Sequence, residues 1–312
     1  MLITKLSPAF TDTTLPILQK DPVLPNAGGV FLLDSKNSAS WNGSSVIAVD
    51  APLNTLTRAA AADGTNPGMG VFTVGEATPI ALSSVSKPLA YNSATGRITF
   101  PTTSEANPAR FIESQAQGLY LFNGTDAFCI SAWVYVAPTG VLYLLTTQPA
   151  GNNNARQGLT ITASVASGFQ VNRPSMVGYP ISPGVTQTVA TSNAAYSTAA
   201  TITSGIHRLG YAWYRKADNN WYGRPILNQV LGSELATPSH VTTGIDLGQT
   251  TAGGARNQYW VAALGNRRQV TPGTFGTDNG FYRLYIENIT VSGRTPEQVW
   301  AADWARGNGR FS

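Results

Sequence analysis

The chain has 312 residues, 42% of them hydrophobic, which is enough for a substantial core in one large domain or two small ones. Only 12% are charged, less than half of the typical value of about 25%, and the net charge is +4. One cysteine, Cys129, excludes an internal disulfide; two separated histidines make a zinc site improbable; and no apolar run approaches the ~20 residues that span a bilayer.

The charge is unevenly placed. No Asp or Glu occurs between Asp126 and Asp218, so that stretch is expected to bury well over the ~800 Å² per partner of a standard interface. The adjacent basic pairs, Arg215-Lys216 and Arg267-Arg268, are too few for a nucleic-acid-binding face, and no nucleic-acid partner is expected. The first residues, MLITKLSPAFTD, lack the continuous apolar core of a signal peptide, which implies synthesis in a reducing cytoplasm and no membrane insertion.

Residues 1–30 carry Pro8, Pro16, Pro22 and Pro25 and end in Gly28-Gly29; they predict an extended arm that reaches a neighbouring subunit. Short strands follow at Val30–Leu33, Val46–Val49, Val71–Val74, Ile98–Phe100 and Leu119–Phe122, separated by turn clusters. Ala59–Ala62 has room for one helical turn at most. After the polar turn Asn123–Asp126, Phe128, Ile130, Ala132, Val134 and Val136 fall on one strand face, and Cys129, Ser131, Trp133 and Tyr135 on the other. Residues 147–205 are rich in Ser, Thr, Ala and Asn and predict an insertion of extra strands and long loops.

His207–Arg215 and Trp221–Val230 predict a hairpin across Asp218-Asn219-Asn220, and Tyr259–Leu264 a further strand. Phe281–Val291 alternates as a half-buried strand, with Tyr282, Leu284 and Ile286 on one face and Arg283, Tyr285 and Glu287 on the other. A helix start comes next: Thr295 as N-cap, Pro296 in the first turn and Gln298 completing a capping box. Val299, Trp300 and Trp304 form its apolar stripe, expected to cover the sandwich, and Gly307 its stop. The chain is predicted to be all-β apart from this closing helix.

No enzyme signature is present. Glycoside hydrolysis needs two carboxylates flanking one bond, and no two of the sixteen acidic residues stand two apart along a strand. The serine-hydrolase elbow, the H-E-x-x-H helix and the P-loop are all absent. Asp34, Asp50, Asp126 and Asp278 lack calcium-ligand spacing, so no metal site and no cofactor are assigned. The densest aromatic cluster lies at 211–222. Alternation sends Tyr211 and Trp213 to the core and leaves Tyr214, Arg215, Asn219, Asn220, Trp221 and Tyr222 as glycan-binding candidates.

The pair of segments 118–136 and 280–304, with Asn123-Gly124, Trp133, Gly280 and the Ser292-Gly293-Arg294-Thr295-Pro296-Glu297 turn, resembles the concanavalin A-like, laminin G-type jelly roll. The resemblance implies a jelly-roll sandwich over 31–312, interrupted by the insertion at 147–205. The phrase from Asn288 to Trp300 looks like one from a structural protein of a tailed-bacteriophage virion. That resemblance implies a non-enzymatic tail, fibre, baseplate or head-decoration subunit, located in the virion, whose partners are copies of itself and other virion proteins. The alternatives are a host-surface glycan-binding module and, more remotely, a polysaccharide-active enzyme.

Overall fold

The structure, a computed structural model, describes residues 28–37, 89–99, 127–149, 160–172, 201–218, 221–236 and 278–311. It also describes Asp21, Val23, Pro25 and the short segments 46–47, 52–53, 72–77, 109–114, 177–182, 185–188, 196–197 and 260–264. The expected strand at Leu119–Phe122, the turn at Asn123–Asp126, the helical turn at Ala59–Ala62, residues 1–20, and Asn219 and Asn220 lie outside the described residues.

In chain order the strands begin with β1 (Gly29–Asp34), β2 (Val46–Ile47), β3 (Pro52–Leu53), β4 (Phe72–Ala77), β5 (Leu89–Asn92), β6 (Arg97–Thr99) and β7 (Ala109–Ser114). Next come β8 (Phe128–Val136), β9 (Leu142–Pro149), β10 (Thr160–Ser164), β11 (Gly168–Asn172), β12 (Val177–Ser182), β13 (Val185–Thr188) and β14 (Tyr196–Ser197). The remainder are β15 (Gly205–Arg215), β16 (Trp221–Leu227), β17 (Val230–Leu231), β18 (Leu235–Ala236), β19 (Trp260–Leu264) and β20 (Gly280–Asn288), followed by α1 (Ile289–Ser292) and α2 (Pro296–Gly307).

Among the described residues, ten strands form one antiparallel sheet in the order β17-β16-β15-β8-β20-β6-β5-β2, with β1 also on β20 and β18 on β16. Eight form a second, β14-β11-β10-β9-β19-β7-β4-β3. Neighbours distant in sequence, such as β8 beside β20, give the crossovers of a jelly roll. Ile130, Ala132, Leu209, Leu284 and Ile286 from the first sheet share one buried cluster with Leu142, Leu144, Ile161, Phe169 and Val171 from the second. The protein is therefore an all-β sandwich with a short C-terminal helix. Each Leu, Ile, Val or Phe of this cluster contributes about 1.5–3 kcal/mol on burial. Of the 147–205 stretch, β10, β11 and β14 extend the second sheet, and β12 and β13 pair only with each other.

The registers fix which side chains share a face. Ile130 pairs with Ile286 and Tyr211, and Ala132 with Leu284 and Leu209; these form the inner face. Ser131 pairs with Tyr285 and Gly210, and Trp133 with Arg283 and Arg208; these form the outer face. The alternation read in 128–136 holds. In β20 it breaks once: a bulge between Phe281 and Arg283 leaves Tyr282 without a partner on β8. Tyr282 accordingly packs with Trp133 and Phe311 on the outer face instead of sharing the inner face with Leu284 and Ile286.

Two further expectations are corrected. The strand ends at Asn288, not Val291, because the Asn288 side chain accepts from the Val291 amide (3.1 Å) and caps the single turn α1. Gly293 closes that turn with φ 70°. Nor is β20 half-buried: all nine of its residues are buried, because α2, Asp21 and Val23 cover the polar face. Within the expected arm, Asp21 and Val23 are buried on the chain's own sheet, and Gly29 already opens β1.

Helix α2 carries the predicted capping box. Thr295 Oγ1 accepts from the Gln298 amide (3.3 Å), and Gln298 Oε1 from the Thr295 amide (2.9 Å). Its buried stripe is Pro296, Val299, Trp300, Asp303 and Gly307. Two glycines let the helix lie close. A Cβ on Gly210 would stand 2.7 Å from Trp300 Nε1, and one on Gly307 would stand 2.2 Å from Trp133 Nε1. The Trp300 indole instead donates to the Ile130 carbonyl (3.1 Å). Gly307 ends the helix as expected, yet its role is close approach; the positive-φ glycine of this turn is Gly309, at 72°.

Denaturant unfolding should order these contributions. Trp300→Ala is expected to cost ~3–5 kcal/mol, and Thr295→Ala only ~1 kcal/mol. Gly307→Ala would gain about 1 kcal/mol by helix propensity alone; the collision with Trp133 predicts net destabilisation instead.

Candidate binding surface

The outer face of the first sheet has a buried ionic centre and two open ends. At the centre, Arg283 projects from β20 under α2. Its Nη1 and Nη2 bond both carboxylate oxygens of Asp21 (3.0 and 3.1 Å), Nη1 also reaches Asp34 Oδ2 (2.5 Å), and Nε reaches Asp303 Oδ1 (2.8 Å). All four side chains are 0% exposed. Arg306 adds a contact to Asp21 (3.3 Å), and Arg310 one to Asp34. Ser131 and Trp133 donate to the other Asp303 oxygen (2.6 and 3.1 Å). Three guanidinium groups thus face three carboxylates, and the buried centre is electrically balanced.

The pKa directions follow. Burial pushes the Asp21 carboxyl up, but the hydrogen bonds and charge of Arg283, with Arg306 behind it, outweigh that and hold it below its ordinary 3.8. Burial pulls the Arg283 guanidinium down, and Asp303, Asp21 and Asp34 more than reverse this. Beside it, burial and the Glu287 carboxylate raise the Tyr285 phenol, which donates to Glu287; Arg294 pairs with that same carboxylate. Cys129 is buried, and desolvation with Glu287 and Asp303 nearby pushes its thiol well up, so it stays protonated and inert. Burial also lowers Arg208 to about 10, and it donates to the Trp300 carbonyl (2.5 Å) and to the Asn228 carbonyl.

The sequence candidates occupy the hairpin end. Tyr214 pairs in register with Tyr222, and Arg215 with Trp221, so the two pairs belong to opposite faces of the sheet. Asn219 and Asn220 lie outside the described residues. Tyr211 and Trp213 are buried in the core, as alternation required. Tyr214 and Tyr222 are partly exposed, and a polar rim engages both. Tyr214 donates to Glu234, Lys216 pairs with Glu234, and Tyr222 donates to Asp218 (2.6 Å). Lys216 Nζ stands 4.4 Å from the Tyr222 ring centroid. Burial and then Glu234 raise the Tyr214 phenol, so it acts as a neutral donor. Arg224 Nη1, two residue pairs inward, bonds Glu297 at the start of α2 (3.1 Å). The result is a small two-ring surface with charged edges.

Sequence reasoning missed the ionic centre. Asp21, Asp34 and Asp303 are scattered along the chain and share no spacing; the only local signal was an arginine on the alternating strand at 283. Among the described residues no helix is long and apolar enough to cross a membrane. No group of three or more His, Cys, Asp or Glu among them is arranged to hold a metal ion.

No protein-family model matches the chain, and no curated protein does. Among solved structures it is similar to the endo-1,3-beta-glucanase of Streptomyces sioyaensis: 16% identity over 84% of this chain and 97% of that one, TM-score 0.39. It is similar to the CBM2 module of the evolved Dit of Lactobacillus casei BL23 phage J-1: 10% identity, 86% and 97% covered, TM-score 0.38. It is also similar to the binding domain of botulinum neurotoxin serotype D: 8% identity, 90% and 51% covered, TM-score 0.43. At these identities and scores, none of them assigns an activity, ligand or site to this chain.

Removing one partner of a buried ionic cluster leaves the others uncompensated, so Arg283→Met is expected to cost ~3–5 kcal/mol in urea unfolding. The Asp21 carboxyl is depressed in the folded state, so its contribution is present above 3.8 and is lost as pH falls through its folded value. Stability measured from pH 5 down to pH 2 should therefore fall below 3.8. Asp21→Asn should flatten that part of the profile.

Proposed function

We propose that the chain is a non-enzymatic structural component of a tailed-bacteriophage virion that acts through protein–protein contacts. The observation that carries this reading is the state of the acidic groups. Among the described residues, the carboxylates that converge on Arg283 are sealed beneath α2 and held by arginine, where they brace the fold. The segment from Ala127 to Ala217, with no acidic residue, supports it by supplying a surface suited to contact with other subunits. Purified particles of the encoding phage should contain the chain, and small-angle scattering of the isolated protein should show self-association. A compact monomer absent from particles would overturn the proposal.

A second reading is a glycan-binding module at the hairpin end. It is favoured by one feature: the Tyr214–Tyr222 pair, partly exposed, with Lys216 and Asp218 at its edge. On that reading, Tyr222→Ala should remove retention on a glycan affinity matrix and leave the unfolding midpoint unchanged. Equal retention of both proteins would exclude the hairpin end as the platform.

A further inference from the structure

The opposite end of the outer face has a different chemistry. Gly280 pairs with Tyr135 on one side and Thr99 on the other, and Tyr135 pairs with Ile206. Phe281 pairs with Ile98, so Tyr282 and Arg97 are the next residues along their strands. A Cβ on Gly280 would stand 2.4 Å from the Ile98 carbonyl oxygen and 3.0 Å from Arg97 Cγ. The bare position therefore lets the neighbouring strand approach and leaves room for the arginine stem. The Arg97 guanidinium carbon sits 4.3 Å from the Tyr135 ring centroid, which orients the group before any ligand arrives.

Most arginines of this face are committed to carboxylates, and Arg208, which holds none, is committed to the Trp300 and Asn228 carbonyls. Arg224, Arg283, Arg294, Arg306 and Arg310 each hold a carboxylate. Arg97 holds none among the described residues, and its Nε is buried without a hydrogen-bond partner. The side chain as a whole is partly exposed, so its uncommitted guanidinium is within reach of an acceptor from outside. Two phenols flank it. Burial raises the Tyr282 phenol against the opposing charge of Arg97, so it remains a donor. Tyr135 is partly exposed, and among the described residues neither phenol has a hydrogen-bond partner. Partly buried Ile206 and Trp304 belong to the same small cluster of rings and supply an apolar flank. The charges nearby are Lys36, exposed and bonded through Nζ to the Arg310 carbonyl (2.9 Å), and Asp278, exposed and not paired with Arg97.

We propose that Arg97, Tyr135 and Tyr282 form a subsite for the carboxylate of an acidic sugar residue. One uncommitted guanidinium with hydroxyl groups beside it fits a single carboxylate. A nucleic-acid backbone would require a row of cations. The phenols donate to the carboxylate oxygens or to ring hydroxyls, and the apolar flank receives the C–H face of the pyranose. This site lies at the end of the sheet away from Tyr214 and Tyr222 and is independent of them.

The test is calorimetric titration of the full chain with a galacturonate tetrasaccharide, and with the same compound methyl-esterified. The acid should bind, and the ester should bind about tenfold more weakly or worse. Arg97→Gln should lose binding by a similar factor, Arg97→Lys should retain part of it, and Tyr135→Phe, which removes one hydroxyl only, should weaken it without altering the unfolding midpoint. Equal binding of acid and ester would overturn the proposal, as would no binding of either or full binding by Arg97→Gln. So would Arg97-dependent binding of an oligoglutamate peptide in preference to the saccharide, which would mark the site as a socket for a protein partner.

Discussion

The arrangement of this protein depends on the ionised side chain of Arg283 in the middle of its longest sheet. An unpaired guanidinium there would be prohibitively costly to desolvate. The chain brings three carboxylates to it from three remote places: Asp21 before the first strand, Asp34 at the end of β1, and Asp303 on α2. Each of these segments must dock for the centre to balance. Displacing any one leaves a buried charge without its partner, so the cluster is selective for one placement of helix, strand and N-terminal segment. Its net contribution to stability is a separate matter, since desolvation offsets much of the attraction.

Packing around the centre follows from that placement. Gly210 and Gly307 remove the side chains that would hold α2 off the sheet, and Trp300 fills the space with its indole nitrogen satisfied by a strand carbonyl. Trp133 is packed between Trp304 and Phe311, with ring centroids 5.2 and 5.7 Å away, and Phe311 stacks on Tyr282 at 5.1 Å. Arg208 and Arg310 lie over the outer members of this group. The middle of the outer face is thereby closed. What remains open are its two ends, one with two tyrosines whose hydroxyls already have partners, the other with partly exposed Arg97 and Tyr135 beside the buried Tyr282, none of them paired with a carboxylate among the described residues.

Much of the architecture was legible from local chemistry. The alternation in 128–136, the hairpin between β15 and β16, and the capping box of α2 each depend on residues within a few positions of one another, and each stands where the sequence placed it. Local patterns failed where an unseen neighbour intervened. A single extra residue in β20 turned Tyr282 to the other face, because period-two reasoning carries no information about the partner strand. Asn288 ended the strand early by capping a turn that the apolar residues Ile289 and Val291 had masked.

The sequence by itself determined an all-β chain with a short closing helix, because propensity, alternation and capping are written in neighbouring residues. It determined as well that Tyr211 and Trp213 would be core and Tyr214 would not. The tertiary structure alone decided that the polar face of β20 is buried, that Asp21, Asp34 and Asp303 meet one arginine, and that Arg97 does not meet a carboxylate among the described residues. Those outcomes depend on contacts between residues up to 285 positions apart, as between Asp21 and Arg306. No spacing or composition encodes such pairs in a form that can be read without the fold.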